Sequence, residues 1–329
     1  MTSRVRVGIA GTGACMPSRV MTNHDFEKLV DTSDEWIQQR TGIKERRFVS
    51  ENECTSDLCV VAAQRALEAA GMQASELDLV VTGTLTPDYL LPGVSCLVQD
   101  RIGAKNAGAF DCSAACTGFL TALSIGEAFV GSGRAKAVMV LGAESLSRFL
   151  DLNDRTSCII FGDGAGAVVL RPWEECRTGE VLRTTLGADG SGYEFIHMKG
   201  GGAKTPPTAA SVARGDHFIR MRGREVFRFA VTKMADLIVQ MAEGHSYEEI
   251  GLIVPHQVNA RIIESAMDRV GWPLDKVFIN IDKYGNTSAA TVPVALDEAR
   301  RAGRLEPGKL VISVAFGAGL TWGGTLIRW

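Results

Sequence analysis

One order of elements occurs twice along this chain of 329 residues, and that duplication narrows the possible folds more than any other feature. In the first half, a helical run over 55–70 leads through Gly71 into the apolar run Leu79-Val80-Val81-Thr82-Gly83. In the second, a helical run over 224–242 leads through Gly244 into Leu252-Ile253-Val254-Pro255-His256. Each half then closes with a helix and a strand: 118–130 and Ala137-Val138-Met139-Val140-Leu141-Gly142 in the first, 288–301 and Leu310-Val311-Ile312-Ser313-Val314-Ala315 in the second. Short apolar strands, each preceded by an amphipathic helix, predict α/β layers with a sheet buried on both faces. The seam falls near Arg171-Pro172-Trp173-Glu174-Glu175, so the halves are read as 1–173 and 174–329.

The repeat bears on chemistry because open α/β sheets build their sites at strand ends. A pseudo-twofold arrangement would bring Cys116, His256 and Asn286 to the seam, with Cys116 and Asn286 at comparable places before the last helix of each half. A free cysteine is by default a small buried apolar residue. Cys116 differs because Asp111-Cys112-Ser113-Ala114-Ala115 reads as a strand leaving the core and Thr117-Gly118-Phe119-Leu120 as a helix start. A helix N-terminus favours the thiolate. Cys112 and Cys158 lack that setting and read as packing residues. His256 ends an apolar strand with Gln257 and Asn259 beside it. Asn286, in Gly285-Asn286-Thr287, reads first as a turn and N-cap residue. Imidazole and carboxamide N–H groups can both hold a carbonyl oxygen that gains charge. A thiol with those two donors suits acyl transfer followed by carbon–carbon bond formation.

Composition closes off other classes. The net charge of −3 shows no basic footprint for nucleic acid, and 46% hydrophobic with 22% charged residues is an ordinary globular balance. No apolar stretch reaches the roughly 20 residues of a membrane helix. The chain runs from Met1 straight into an alternating strand, without the apolar stretch of a secretory leader. The eight cysteines sit mostly among apolar neighbours, which reads as reduced thiols in the cytoplasm. Their spacing does not match a zinc site, so no metal is expected. Gly11-Thr12-Gly13 has Met16 where a dinucleotide fingerprint needs its third glycine, and Gly162-Asp163-Gly164-Ala165-Gly166 also fails that spacing. Both read as close packing, which argues against a nicotinamide oxidoreductase. Trp36 and Arg40 stand at i and i+4 on one helix face, either as a surface stacking pair or as a plate and cation for a nucleotide. The stretch Lys199-Gly200-Gly201-Gly202-Ala203-Lys204-Thr205-Pro206-Pro207 reads as a mobile flap.

Ala115-Cys116-Thr117-Gly118, Phe161-Gly162-Asp163-Gly164-Ala165-Gly166, His256-Gln257-Val258-Asn259, Gly285-Asn286-Thr287-Ser288 and Gly319-Leu320-Thr321-Trp322-Gly323 together closely resemble the β-ketoacyl-acyl-carrier-protein synthase III family. The resemblance runs over essentially the whole chain. It implies the thiolase fold, a duplicated five-layered αβαβα arrangement, as a homodimer, with no cofactor. It implies that Cys116 takes an acyl group from a CoA thioester and that His256 and Asn286 hold the thioester oxygen of malonyl-acyl-carrier protein during decarboxylation. The backbone N–H groups of Cys116 and Ala318 would form the oxyanion hole. Trp36, Arg40, Arg155 and Asn259 match CoA contacts, Leu91, Leu146 and Phe161 the acyl pocket, and Arg261 and Arg269 the carrier-protein surface.

The sequence departs from the family pattern at three places. The oxyanion loop reads Phe316-Gly317-Ala318-Gly319, with alanine where glycine is frequent. Arg224 stands where an asparagine often meets the CoA arm. Leu91 stands where some members have a phenylalanine that reaches the pocket from the partner subunit. The resemblance favours an enzyme that initiates fatty acid synthesis. A secondary-metabolite condensing enzyme or acyltransferase of the same superfamily is the alternative, and a non-catalytic scaffold would not need all three reactive residues.

Overall fold

The computed structural model describes residues 4–329. Nine strands carry the fold: β1 (Val7–Cys15), β2 (Leu79–Gly83), β3 (Gly108–Cys112), β4 (Val138–Glu144), β5 (Gly164–Pro172), β6 (Glu180–Ala188), β7 (Ile250–Pro255), β8 (Leu310–Gly317) and β9 (Thr321–Arg328). Six helices matter here: α1 (Asp34–Thr41), α2 (Thr55–Ala70), α3 (Gly118–Gly131), α4 (Gly223–Ala242), α5 (Ala260–Val270) and α6 (Thr291–Arg301). The strand order is β7-β8-β9-β6-β1-β5-β4-β2-β3.

The repeat is visible in this order. In the first half, β2 and β4 pair in parallel, β4 and β5 antiparallel, and β5 and β1 antiparallel. In the second, β7 and β8 pair in parallel, β8 and β9 antiparallel, and β9 and β6 antiparallel. The first half adds β3 beside β2; the second has a single parallel bridge, Ile253 to Val277, at the same place. The two groups of strands meet through one pair, Gly8 with Glu180.

Side-chain alternation sorts these strands into five layers. Val80, Met139 and Leu141 face α2 in one outer core, while Leu79, Val81, Val138 and Val140 face inward. The inward set meets Phe119, Leu120 and Leu123 of α3, Val292 and Leu296 of α6, and Leu252, Val254 and Val311 from the other group of strands. Ile253, Ile312 and Val314 face α4 and α5 in the second outer core. The sequence α2, sheet, α3 with α6, sheet, α4 with α5 is the αβαβα order of the thiolase fold. Each fully buried Leu, Val or Phe contributes about 1.5–3 kcal/mol of apolar transfer, so the middle layer is a principal source of stability.

That middle layer also aims the site, because α3 and α6 point their N-termini at the seam. Backbone contact there is tight: a Cβ on Gly142 would sit 2.3 Å from Ala289 O. Gly11 and Gly13 lie in β1 against the α2 backbone, where a Cβ would fall 2.4 Å from Ala66 O and 2.3 Å from Ala62 O, so these glycines serve close packing as expected. The stretch expected as a flap is closed on itself. Gly200 N–H donates to Asp216 O (2.6 Å) and Gly201 N–H to Thr205 O (3.0 Å). Its base is a ribbon pairing Ile196–His197 with Arg220–Met221, because the glycines and prolines make turns that return the chain. Among the described residues, no helix is long and apolar enough to cross a membrane, and all eight cysteines are unpaired.

Candidate active site

Cys116 sits in a single turn, Ala115–Thr117, wedged between β3 and α3. Ala115 has φ 48°, a left-handed conformation that costs a non-glycine residue on the order of 1–3 kcal/mol. The second half repeats the device. Ser288 has φ 49° at the head of the turn Ser288–Ala290, directly before α6. Matching these turns pairs Ala115 with Ser288 and Cys116 with Ala289. The expected equivalence of Cys116 and Asn286 is therefore displaced: Asn286 stands earlier, before the strained residue, because α6 begins at Thr291, later than the predicted helix start at 288.

Asn286 is held by the first half of the chain. Its N–H donates to Ile160 O (2.9 Å), and Gly162 N–H donates to Asn286 O (3.0 Å). Ser288 N–H donates to Asn286 Oδ1 (2.8 Å). The carboxamide NH2 is the end left for a ligand. His256 follows β7 and is 0% exposed. Its Nδ1 lies 2.6 Å from Thr291 Oγ1, and its ring stands edge-on to Phe316. Nε2 is buried with no protein partner among the described residues. Burial alone pushes the imidazole pKa down to about 3, so the ring is neutral at physiological pH.

All three residues line one cavity of about 750 Å³. Leu85, Leu146, Ile159, Phe161, Ile196 and Leu320 supply much of its apolar wall. Exposed Arg40, Arg155, Arg224 and Arg261 stand around it, with half-buried Trp36. A chain with a net charge of −3 thus concentrates cations at this opening. The guanidiniums of Arg155 and Arg40 lie 5.3 and 5.7 Å from the Trp36 ring centre, so the stacking and nucleotide-plate readings describe the same cluster. Arg155 also donates to Asp31 O (2.6 Å) and stands 3.7 Å from its carboxylate.

The wall behind Cys116 is the hairpin from β8 to β9. A Cβ on Gly317 would come within 2.8 Å of Cys116 N, so only glycine lets the hairpin approach the elbow this closely. Thr321 Oγ1 lies 3.2 Å from Ala114 O, 3.0 Å from Ala318 O and 2.9 Å from Thr117 Oγ1, which ties the turn at Ala318 to the cysteine elbow.

Several expectations shift with the geometry. The helix start does not dominate the Cys116 thiol. Desolvation is the main cause that pushes its pKa up to about 12, with Ser288 acting to lower it and the Glu144 charge to raise it. Asn259 lines the cavity, but both ends of its carboxamide bind protein: Oδ1 accepts from Arg261 N–H (2.9 Å), capping α5, and Nδ2 donates to Arg40 O (3.0 Å). Arg269 lies in the last turn of α5, where its cation complements the helix dipole, and does not line the cavity. Leu91 is 86% exposed in the single chain and also lies outside the lining. Sequence reasoning missed Glu144, the Ser288 hydroxyl and Thr291, all under or beside the cavity floor. Ser288 stands inside a noted motif; Glu144 and Thr291 carry no comparable signal.

A cysteine elbow at the seam of a duplicated five-layer α/β chain places this protein among the thiolase-fold condensing enzymes. The family model described as 3-Oxoacyl-[acyl-carrier-protein (ACP)] synthase III matches residues 110–190, and that of its C-terminal part matches 241–329. The chain is similar to the β-ketoacyl-[acyl-carrier-protein] synthase III of Syntrophomonas wolfei, 48% identical over 99% of this chain and 98% of the relative. It is similar in structure to 3-oxoacyl-[acyl-carrier-protein] synthase III from Aquifex aeolicus VF5, with TM-score 0.90, 45% identity and coverage of 98% and 100%. A priming β-ketosynthase from the R1128 polyketide pathway aligns with TM-score 0.90 and 35% identity, covering 100% of this chain and 98% of that one. The chain belongs to the 3-oxoacyl-[acyl-carrier-protein] synthase III family.

Proposed function

We propose that this enzyme initiates fatty acid synthesis by condensing an acyl-CoA primer with malonyl-acyl-carrier protein, giving 3-oxoacyl-carrier protein, CO2 and CoA. The observation that carries the reading is the pair of ligand-facing groups beside Cys116: the unpartnered Nε2 of a neutral His256 and the carboxamide of an anchored Asn286. In the first step, Cys116 sulfur bonds to the acyl carbon, the bond to CoA sulfur breaks, and the proton given up by the thiol is returned to the departing CoA sulfur. In the second, the malonyl carboxylate leaves as CO2, and the electron pair enters a thioester enolate held by His256 N–H and the Asn286 NH2. The enolate carbon attacks the acyl carbonyl, whose oxygen accepts from the Cys116 and Ala318 N–H groups, and collapse releases the thiolate. Every electron pair moves within thioesters, so the scheme needs no metal or redox cofactor. The curated relatives that are 46–48% identical over nearly the whole chain are named as synthase III, which favours fatty acid synthesis over the secondary-metabolite alternative.

The arginines fit two partners. Trp36, Arg40, Arg155 and Arg224 suit the adenine and phosphates of CoA, and exposed Arg261 suits an acidic carrier protein. A homodimer of this two-half chain, 1–173 and 174–329, is supported by two exposed features. β3 is an edge of the sheet, and Tyr89, Leu90 and Leu91 are 60%, 86% and 86% exposed in the single chain. Unpaired thiols suit a cytoplasmic setting.

Intact mass after exposure to acyl-CoA, followed by addition of malonyl-carrier protein, tests the reading. The wild type should gain one acyl group and then form 3-oxoacyl product. Cys116→Ala should do neither, while Cys112→Ser does both. His256→Ala and Asn286→Ala should keep the acyl adduct yet lose roughly 10²–10³ in decarboxylation per donor removed. Condensation by Cys116→Ala would overturn the mechanism.

A further inference from the structure

Under the cavity floor lies a carboxyl group that the condensation scheme leaves unused. Glu144 ends β4 and is 0% exposed. No cation stands within ion-pair distance of it among the described residues. It is held by hydrogen-bond donors instead. Oε2 accepts from Thr86 Oγ1 (2.6 Å), Leu85 N–H (3.2 Å) and Thr84 Oγ1 (3.3 Å). Oε1 accepts from Ser288 Oγ (3.2 Å). The turn that carries Ser288 packs on the turn that carries Cys116, and both residues line the same cavity. From a turn with left-handed φ, Ser288 thus holds Glu144 through its hydroxyl and Asn286 through its N–H.

We propose that Glu144, acting through the Ser288 hydroxyl, receives the proton of Cys116 when the thiol becomes a nucleophile. The Cys116 S–H bond breaks as its proton passes to Ser288 Oγ, and the Ser288 O–H proton passes to Glu144 Oε1. The negative charge moves from carboxylate to sulfur, and no other reactant is needed. The inference rests on the reading of Cys116 as nucleophile and extends it to the source of the thiolate. Glu144 and Ser288 are positioning residues in this scheme, because only Cys116 touches the substrate.

The electrostatics agree. Burial raises the Glu144 pKa to about 7, which makes it a better base than an ordinary carboxylate. The Glu144 charge raises the Cys116 pKa and the Ser288 hydrogen bond lowers it, as expected for two sites that share one negative charge. Cys59 also feels Glu144, but it is fully buried. His256 lines the same cavity and stays neutral above a pH of about 3.

Two sites sharing one charge have a distinctive pH signature. Below the Glu144 pKa of about 7, thiolate grows tenfold per pH unit. Above it, each proton leaving the pair leaves one shared charge, so the thiolate fraction levels off. Glu144→Gln removes the sharing, and its thiolate keeps rising. The experiment is the rate of Cys116 alkylation by iodoacetamide from pH 6 to 9, read by peptide mass because Cys54 and Cys96 are exposed. The Glu144→Gln and wild-type rates should be within about twofold at pH 6, with the variant at least about tenfold faster at pH 9. Ser288→Ala should be slower than wild type throughout. Ala115 already shows that alanine tolerates this turn, and Ser288→Gly should behave alike. Parallel profiles for wild type and Glu144→Gln, or an unchanged rate in both Ser288 variants, would overturn the relay. Alkylation reads the thiol itself, so an error in the assigned substrates would show separately, as a missing acyl adduct.

Discussion

His256 Nδ1 lies 2.6 Å from Thr291 Oγ1, and this contact selects the ring nitrogen that carries the proton. Thr291 Oγ1 is also 2.9 Å from Ser288 O, yet it has one hydrogen to give. If that hydrogen goes to Ser288, Nδ1 is the protonated nitrogen and Nε2 faces the cavity as an acceptor. Donation to the enolate requires the other arrangement, with Thr291 donating to Nδ1 and the proton on Nε2. Thr291→Val keeps the shape and removes the choice. Malonyl decarboxylation should fall about tenfold or more, while Cys116 acylation stays within about threefold. Thr291→Ser should restore most of the decarboxylation. Equal loss in both half-reactions would indicate a packing defect instead.

Arg261 is exposed at the first turn of α5 and borders the cavity. Its attraction for an acidic carrier protein is a surface effect, screened over about 8 Å at physiological salt. Arg261→Glu should raise KM for malonyl-carrier protein several-fold and flatten its salt dependence, because the attraction that salt screens is gone, while acylation by acyl-CoA is nearly unchanged. An unchanged carrier-protein KM would remove Arg261 from the docking surface.

Leu91 lies outside the cavity lining of its own chain, so any effect on the primer must come from a partner subunit. Leu91→Phe should shorten the accepted chain. Fit in an apolar pocket is worth about 1–3 kcal/mol per methylene, so the change should be graded. The measurement is kcat/KM for acetyl-, butyryl-, isobutyryl- and octanoyl-CoA. Identical ratios in wild type and variant would show that Leu91 does not reach the acyl chain.

Glu144 and His256 should shape stability against pH in opposite directions. The Glu144 pKa rises from 4.5 to about 7, so the folded state binds more protons than the unfolded state in that window. Its stabilising contribution is complete below pH 4.5 and lost as pH rises through about 7, a change of about 3 kcal/mol at 1.36 kcal/mol per pH unit. The His256 pKa falls from 6.5 to about 3, so stability is instead lost as pH drops through that range. Urea midpoints at pH 5 and pH 8 should show Glu144→Gln gaining relative to wild type at the higher pH. No difference between the two pH values would mean that Glu144 is not buried as a carboxylate in solution.

The order of helices and strands was legible in the chain because it rests on local periodicity. The run 55–70 became α2 with the same bounds, and Leu79-Val80-Val81-Thr82-Gly83 became β2, with alternate residues facing different cores. Glycine spacing was also informative, since the failed fingerprint left tight turns or close packing as the reading of Gly11 and Gly13, and the fold uses them for close packing. The gathering of Cys116, His256 and Asn286 followed from the repeat, although its register did not. Ala115 and Ser288 both take left-handed φ without being glycine, so nothing in the letters marked where each elbow begins.

Tertiary structure alone decided the electrostatics. A helix start argues for a thiolate at Cys116, yet the folded site pushes that thiol up to about 12, because walls and a carboxylate from distant segments close around it. Asn259 matched a ligand-binding motif, and the fold also uses its carboxamide to hold Arg261 N–H and Arg40 O. Glu144 ends a strand like many others until Thr86 and Ser288 converge on it. Propensity and alternation depend on neighbours along the chain, so the sequence determined the elements and the reactive side chains. Desolvation and charge interactions depend on neighbours in space, so only the packed fold decided how each of those side chains is tuned.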